Sequence, residues 1–175
     1  MKHCGKTTLG RILASRLRLN FTDLDALIEE TASREKGKPV TVREIYKEGG
    51  KEAFEAAEKT ALLHLAQHFQ AGKQLVLALG GGSIENTEAF SALAERAFLI
   101  YLEEDEKTLF RRITAKGLPP FLEGPNPRET FHRLYEKRTA LYREKAHYTL
   151  NLRGLTPEET LEKLLAHDFF TGLLP

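Results

Sequence analysis

With 175 residues and 19.8 kDa, the chain has the size of one ordinary domain that buries a substantial core. Its formal net charge of +1 gives no electrostatic footprint for nucleic acid or a membrane surface, although a small anionic ligand is compatible with it. Its single cysteine excludes an internal disulfide, and no segment reads as a signal peptide or membrane anchor. We therefore expect a monomeric, cytoplasmic protein that binds neither nucleic acid nor membranes.

The chain begins with half of a phosphate-binding motif, His3-Cys4-Gly5-Lys6-Thr7-Thr8, which leads into a predicted helix. A loop of this kind presents successive backbone N–H groups and the positive end of the helix to a phosphate. Lys6 would reach the β and γ phosphates of a nucleotide, and the Thr7 hydroxyl would bind Mg²⁺. Because Gly-Lys-Thr is common by chance, an ordinary helix N-terminus capped by threonine is the alternative interpretation.

The first glycine of the full motif would fall one position before Met1, and the strand that should precede the loop is missing too. In P-loop folds that strand is central, so its loss would leave neighbouring strands with unpaired backbone groups. We expect on this ground that the reading frame begins upstream of Met1. A truncated chain of low stability is the alternative.

Strand and helix patterns alternate through the rest of the chain. Apolar runs at residues 74–79 and 97–102, and a shorter one that leads to Asp23, are typical of buried parallel strands. The predicted helices cover residues 8–17, 51–69, 88–96, 106–115 and 127–145, with a last one begun by the capping box of Thr156 and Glu159. This alternation predicts one doubly wound α/β domain over residues 1–175.

Asp23 and Asp25 lie two residues apart in FTDLDALIEE, at the end of a predicted strand. If the strand continues, this spacing points both carboxylates to one side, towards the crevice where ligands bind in open α/β sheets. One carboxylate would then hold a metal-bound water while the other accepts a proton from a hydroxyl. A helix N-terminus rich in acidic residues is the alternative, and the spacing alone leaves both open.

Three glycines, Gly80, Gly81 and Gly82, directly follow the predicted strand at 74–79. Without side chains they would let the backbone approach a ligand closely, whereas a flexible strand-to-helix turn is the alternative. Further along, residues 115–128 are rich in proline and glycine and predict a lid.

In their order these motifs resemble the shikimate kinase family, from His3 to about Arg153. The matching pieces are the Gly5-Lys6-Thr7-Thr8 loop, Asp23 with Asp25, Phe54 with Glu58, the triple glycine, and Arg138 with Tyr142. Each motif alone is weak evidence for the family, but the full set in this order is specific to it. The resemblance implies a three-layer α/β/α P-loop kinase fold around a parallel sheet that here lacks its first strand.

The resemblance also implies an activity, which is ATP-dependent phosphorylation of the 3-hydroxyl of shikimate on the chorismate route to aromatic amino acids. Mg²⁺ would be the cofactor, held by Thr7 and Asp23. The residues that the resemblance implies for the nucleotide are His3, Cys4, Gly5, Lys6, Thr7, Thr8, Arg112 and Arg153.

The resemblance makes Lys6 and Asp25 the catalytic residues, with Asp25 as the base for the acceptor hydroxyl. The residues that it implies for the acceptor are Asp25, Gly80, Gly81, Gly82 and Arg138. Arg138 would pair with the carboxylate of shikimate, a task that suits a planar bidentate donor.

Two positions depart from the family pattern. The arginine expected in the substrate helix is Glu55, and the acid expected four residues earlier is Lys51, so that we expect an i, i+4 ion pair of reversed polarity. Pro119 stands where the family has a lid arginine, which Lys116 or Arg128 would have to replace. An unreplaced transition-state cation lowers rates by about three orders of magnitude.

Three functions follow from these departures. The first is a shikimate kinase with rearranged cationic groups, and the second is a kinase of the same fold that acts on another small hydroxylated metabolite. The third is a degenerate member that binds a nucleotide or a partner without catalysis. The presence of Lys6, Thr7, Asp23 and Asp25 argues against the third, because these residues are the ones that the chemistry needs.

Overall fold

The computed structural model describes residues 1, 3–68, 73–115 and 117–173. Its helices are α1 (Lys6–Leu17), α2 (Leu24–Lys36), α3 (Val42–His68), α4 (Thr87–Ala94), α5 (Glu106–Thr114), α6 (Pro127–Lys145), α7 (Pro157–Leu165) and α8 (Asp168–Thr171). Its strands are β1 (Asn20–Asp23), β2 (Leu75–Ala78), β3 (Ile100–Glu103) and β4 (Tyr148–Asn151). Within the described ranges, no helix is long and apolar enough to span a membrane.

The chain forms two compact units. Residues 1–9 and the chain from Phe98 onward make the first unit, and residues 10–97 make the second. Among the described residues, each unit contains one two-stranded sheet whose strands are parallel. The predicted parallel pairing is confirmed, whereas a single domain over residues 1–175 stays a prediction.

In the second unit, β1 pairs with β2 from Asn20 opposite Leu75 to Asp23 opposite Ala78. Parallel neighbours need a long crossover, and α2 and α3 supply it. These two helices contribute to an apolar cluster made of Leu24, Ile28, Ala32, Val40, Ile45, Ala61 and Leu62. The register brings the carboxyl ends of β1 and β2 together, so that Asp23 lies beside the start of the glycine turn.

The helix α3 is interrupted at Gly50, where φ is 66° and ψ is −156°. A positive φ is a conformation that glycine adopts without steric strain. The sequence reading placed the start of this helix at residue 51 and missed the segment from Val42 to the break. The predicted end at residue 69 lies outside the described residues.

In the first unit, β3 pairs with β4 from Ile100 opposite Tyr148 to Glu103 opposite Asn151. The fully buried side chains of this unit include Leu109, Leu122, Phe131 and Leu164. Sequence reasoning missed β4, whose second and fourth residues are exposed, because no apolar run marks it.

The bounds of two helices of the first unit were predicted well from the sequence. The helix α6 covers the predicted residues 127–145. The predicted capping box before α7 is confirmed, since Glu159 N donates to Thr156 Oγ1 at 3.2 Å and Thr156 N donates to Glu159 Oε2 at 2.8 Å.

Candidate active site

The phosphate loop of the first unit leads directly into α1. Gly5 has φ of 92°, and no heavy atom lies within 4 Å of where its Cβ would be. Glycine is therefore required there by the backbone conformation and not by lack of space. Lys6 begins α1, and Thr7 and Thr8 lie exposed in its first turn.

The Lys6 ammonium lies over this loop. Its Nζ donates to Met1 O and lies 3.8 Å from Cys4 Sγ. Cys4 itself is buried, with Sγ donating to Met1 O at 3.2 Å. The cysteine side chain thus packs beneath the loop, and its contribution to a nucleotide would come from its backbone.

Arg138, on α6, lies near the phosphate loop. Burial is the main reason that the pKa of the Met1 amine falls to about 5, and the positive charges of Lys6 and Arg138 add to that fall. The structure therefore brings two of the predicted cationic site residues to the same end of the first unit.

Arg112, in the last turn of α5, also contacts the phosphate loop. Its Nη1 lies 3.0 Å from Glu104 Oε2 and donates to His3 O at 3.4 Å. Arg153 is exposed in the turn after β4, where its backbone N–H donates to Asn151 Oδ1 at 2.9 Å. The structure brings Arg112 to the phosphate loop, and the adenine contacts of Arg112 and Arg153 both stay predictions.

In the second unit, Asp23 ends β1 and caps α2, with Oδ1 accepting from Asp25 N at 3.1 Å. The strand does not continue through Asp25, so the interpretation that strand alternation aligns the two carboxylates is wrong. Asp25 lies instead in the first turn of α2, as the acidic helix N-terminus implied. An N-cap aspartate satisfies a backbone N–H of the first turn, which is why the chain changes from strand to helix here.

Gly80, the first of the three glycines after β2, lies close to Asp25. A Cβ on Gly80 would lie 3.0 Å from Ser83 Oγ, 3.2 Å from Glu58 Oε1 and 4.0 Å from Asp25 Oδ1. Gly81 and Gly82 then lead into a 3₁₀ turn at Ser83–Glu85. The structure thus brings Asp25 and Gly80 together, as the resemblance implied.

Glu58, on α3, holds the glycine turn through hydrogen bonds to the residues that follow it. Its side chain is 2% exposed and accepts hydrogen bonds from Ser83 Oγ at 2.6 Å and from Asn86 Nδ2 at 3.3 Å. Burial raises the pKa of Glu58, the two hydrogen bonds oppose that rise, and the charge of Asp25 adds to it. A buried carboxyl therefore lies beside the proposed base and holds the turn that faces it.

Sequence reasoning missed Ser83 and Asn86. Both follow the triple glycine directly in GGGSIEN, and their polar side chains were the available signal. Their partner Glu58 was noticed only as part of a motif, without a role. Its importance comes from a contact between residues far apart in the chain, which no local pattern shows.

The expected ion pair of reversed polarity is present on α3, with Lys51 Nζ 3.3 Å from Glu55 Oε1. The Glu55 side chain is 38% exposed, and its backbone carbonyl accepts from Asn86 Nδ2 at 3.0 Å. Glu55 therefore lies on the part of α3 that borders the glycine turn, and it carries a negative charge there.

The predicted lid contains the 3₁₀ turn Pro120–Leu122 after Pro119, and Leu122 is buried. Arg128 lies with its guanidinium 5.2 Å from the centre of the Phe110 ring. A cation–π contact therefore holds the Arg128 side chain of α6 against Phe110 of α5. The other candidate to replace the lid cation, Lys116, lies outside the described residues.

Residues 2–168 match the family model described as shikimate kinase. The chain is 31% identical over 161 residues to a shikimate kinase of Thermodesulfovibrio yellowstonii, covering 92% of this chain and 87% of that protein. It is 35% identical over 164 residues to a shikimate kinase of Symbiobacterium thermophilum, covering 93% and 86%.

Among solved structures, the chain is similar to a shikimate kinase from Acinetobacter baumannii in complex with shikimate. The TM-score is 0.77 at 32% identity, and the match covers 93% of this chain and 85% of that one. This similarity confirms the predicted fold class.

Proposed function

The chain belongs to the shikimate kinase family, and we propose on that basis how its own residues carry out the reaction of the family. It is a kinase that phosphorylates shikimate with ATP as co-substrate. The match over residues 2–168 is the observation that carries this function. The 3-hydroxyl as the acceptor group, and the role of each residue, are part of the proposal.

ATP binds to the loop His3-Cys4-Gly5-Lys6-Thr7-Thr8 through backbone N–H groups, with Lys6 at the β and γ phosphates. The start of α1 at Lys6 supports this assignment, since the loop ends where a helix begins. Arg112 contacts the adenine, which the planar guanidinium suits by stacking, and Arg153 contributes from the turn after β4.

Thr7 and Asp23 would each offer Mg²⁺ an oxygen ligand, because hydroxyl and carboxylate oxygens are the hard donors that this ion takes. When bound, the ion neutralises charge on the phosphates.

Asp25 orients the acceptor hydroxyl and takes its proton. The closeness of Asp25 Oδ1 to Gly80, whose Cβ would lie 4.0 Å away, supports the assignment of both residues to the acceptor site. Gly80, Gly81 and Gly82 line the acceptor site with backbone, and Arg138 pairs with the substrate carboxylate.

The reaction is a direct in-line transfer in which the protein supplies mainly position and charge neutralisation. Residues 115–128 close over the site and exclude water. No phosphoenzyme is needed, because the acceptor hydroxyl attacks the γ phosphate itself. We also expect a monomer that acts in the cytoplasm and binds neither nucleic acid nor membranes.

One observation bears on specificity, since Glu55 stands where the family has an arginine and is paired with Lys51. A second candidate, a kinase of another small hydroxylated metabolite, draws its support from this substitution. With Glu55 negative, recognition of the shikimate carboxylate rests on Arg138.

The test is a coupled assay of ADP release by the 175-residue chain, with shikimate, without acceptor, and with a panel of small polyols. We expect release that depends on shikimate and requires Mg²⁺, and a phosphomonoester product by ³¹P NMR. Asp25→Asn should abolish this release while leaving ADP binding intact. ADP release that does not depend on shikimate, or a strong preference for a polyol without a carboxylate, would overturn the assignment of the acceptor.

A further inference from the structure

Glu104 is a buried acid at the end of β3 that the catalytic scheme above does not use. Its side chain is 6% exposed, whereas that of its partner Arg112 is 45% exposed. Burying a carboxylate is costly unless it is paired and hydrogen-bonded. Here Oε2 pairs with Arg112 Nη1 at 3.0 Å, and Oε1 accepts from Asp105 N at 3.1 Å.

The position of Glu104 is itself fixed by neighbouring elements. Its backbone carbonyl accepts from Tyr135 OH of α6 at 3.1 Å. Directly after it, Asp105 caps α5, with Oδ1 accepting from Thr108 N at 2.9 Å. The carboxylate therefore stands at a rigid junction between β3 and α5 and presents a fixed negative charge to Arg112.

The same Nη1 atom of Arg112 that pairs with Glu104 also donates to the phosphate loop, at 3.4 Å to His3 O. A half-exposed arginine without a partner samples many rotamers, and its ordering on binding costs affinity. The ion pair with Glu104 removes that freedom before a ligand arrives.

We propose that Glu104 is a positioning residue for the nucleotide, because it fixes the Arg112 guanidinium beside the phosphate loop, from where Arg112 would contact the base. This inference rests on the proposed contact between Arg112 and the adenine. Its consequence is that Glu104 contributes to binding of the base and not to binding of the phosphates or of shikimate.

The adjacent acid offers a matched control. Glu103 is the last residue of β3 and directly precedes Glu104, but its carboxylate pairs with Arg143, at 2.8 Å to Nε and 2.7 Å to Nη2. Glu103→Gln therefore removes a comparable charge pair from the same strand end without touching Arg112.

The experiment measures the Kd of ADP and of inorganic tripolyphosphate, which lacks a base, by calorimetry on the full chain. Glu104→Gln should weaken ADP about tenfold and leave tripolyphosphate unchanged. Glu104→Asp should recover part of the loss, and Glu103→Gln should match the wild type for both ligands. Thermal unfolding checks that each variant is folded.

Arg112→Lys provides a second route, since it keeps the charge next to Glu104 but loses the planar face. It should weaken ADP selectively, and adding Glu104→Gln should cost less than the two separate effects combined, because both act on one contact. Equal loss of ADP and tripolyphosphate in Glu104→Gln, or additive effects, would overturn the proposal. A wild type without shikimate-dependent turnover but with these binding results would overturn only the proposed function.

Discussion

The hydroxyl of Ser83 donates to the buried carboxyl of Glu58 at 2.6 Å, and this bond ties the end of the glycine turn to α3. Both side chains are almost fully buried. The position of the backbone that faces Asp25 therefore depends on a polar contact between two residues of the second unit.

Ser83→Ala should weaken both the fold and the acceptor site. The substitution leaves a buried acceptor without its donor, which costs about 1 to 3 kcal/mol of unfolding free energy. We expect a higher KM for shikimate with an unchanged KM for ATP. Ser33→Ala is the control, because Ser33 Oγ accepts from Val40 N at 2.8 Å in the same unit, away from the glycine turn. If both variants raised the KM for shikimate equally, the turn would not depend on Ser83.

Gly80→Ala should impair catalysis by crowding. The added methyl would lie 3.0 Å from Ser83 Oγ and 3.2 Å from Glu58 Oε1, closer than side chains normally pack. We expect kcat/KM for shikimate to fall about 10- to 100-fold as the turn shifts. Gly172→Ala, where nothing lies within 4 Å of the added methyl, should behave like the wild type in steady-state kinetics. Full activity of Gly80→Ala would show that the turn accommodates a methyl group at this position without a change in the acceptor site.

Glu58 should make stability depend on pH. Burial raises its folded pKa above the ordinary value of 4.5, so the folded state binds the proton more tightly than the unfolded state. Its contribution is fully present below pH 4.5 and is lost as the pH rises through the folded pKa. Relative to Glu58→Gln, the wild type should therefore lose unfolding free energy from pH 4.5 upward, as measured by urea denaturation. A constant difference between the two proteins would show that Glu58 does not titrate abnormally.

Glu55→Arg should improve the recognition of shikimate. The change replaces a negative charge beside the glycine turn with the cation that the family carries there, and Lys51→Glu in the same chain restores the i, i+4 pair. We expect the double variant to lower the KM for shikimate by up to about fivefold, the worth of a partly exposed ion pair. Lys51→Glu alone is the control, because it alters the pair without adding a cation. An unchanged KM would show that this side chain points away from the substrate.

Sequence reasoning was strongest where the signal is local. The span of α6 and the cap of α7 followed from Pro127, Thr156 and Glu159, whose effects act within one helical turn. Sequence reasoning was less accurate where one pattern is compatible with two structures. At Asp25, two aspartates separated by one residue are compatible with a continuing strand and with the first turn of a helix. The α2 helix that follows was predicted only as the alternative interpretation, an acidic helix N-terminus, and its extent was not predicted.

The candidate site shows the same division. The residues of the phosphate loop and the glycine turn stand in motifs, so they were found in order along the chain. The link between Glu58 and Ser83, and that between Glu104 and Arg112, arise from tertiary packing that brings separated segments together. The spacing of apolar residues along the chain contains no information about such contacts.

The break of α3 at Gly50 resets the rotational phase of the helix. Each residue of a regular helix turns by about 100°, so an unbroken helix would place Ile45 and Ala61 about 160° apart around its axis. Both nevertheless lie in one apolar cluster. Because the backbone is irregular at Gly50, the segments before and after it are rotated independently about the helix axis. The first segment packs against the core through Ile45, and the second directs Glu58 towards the glycine turn.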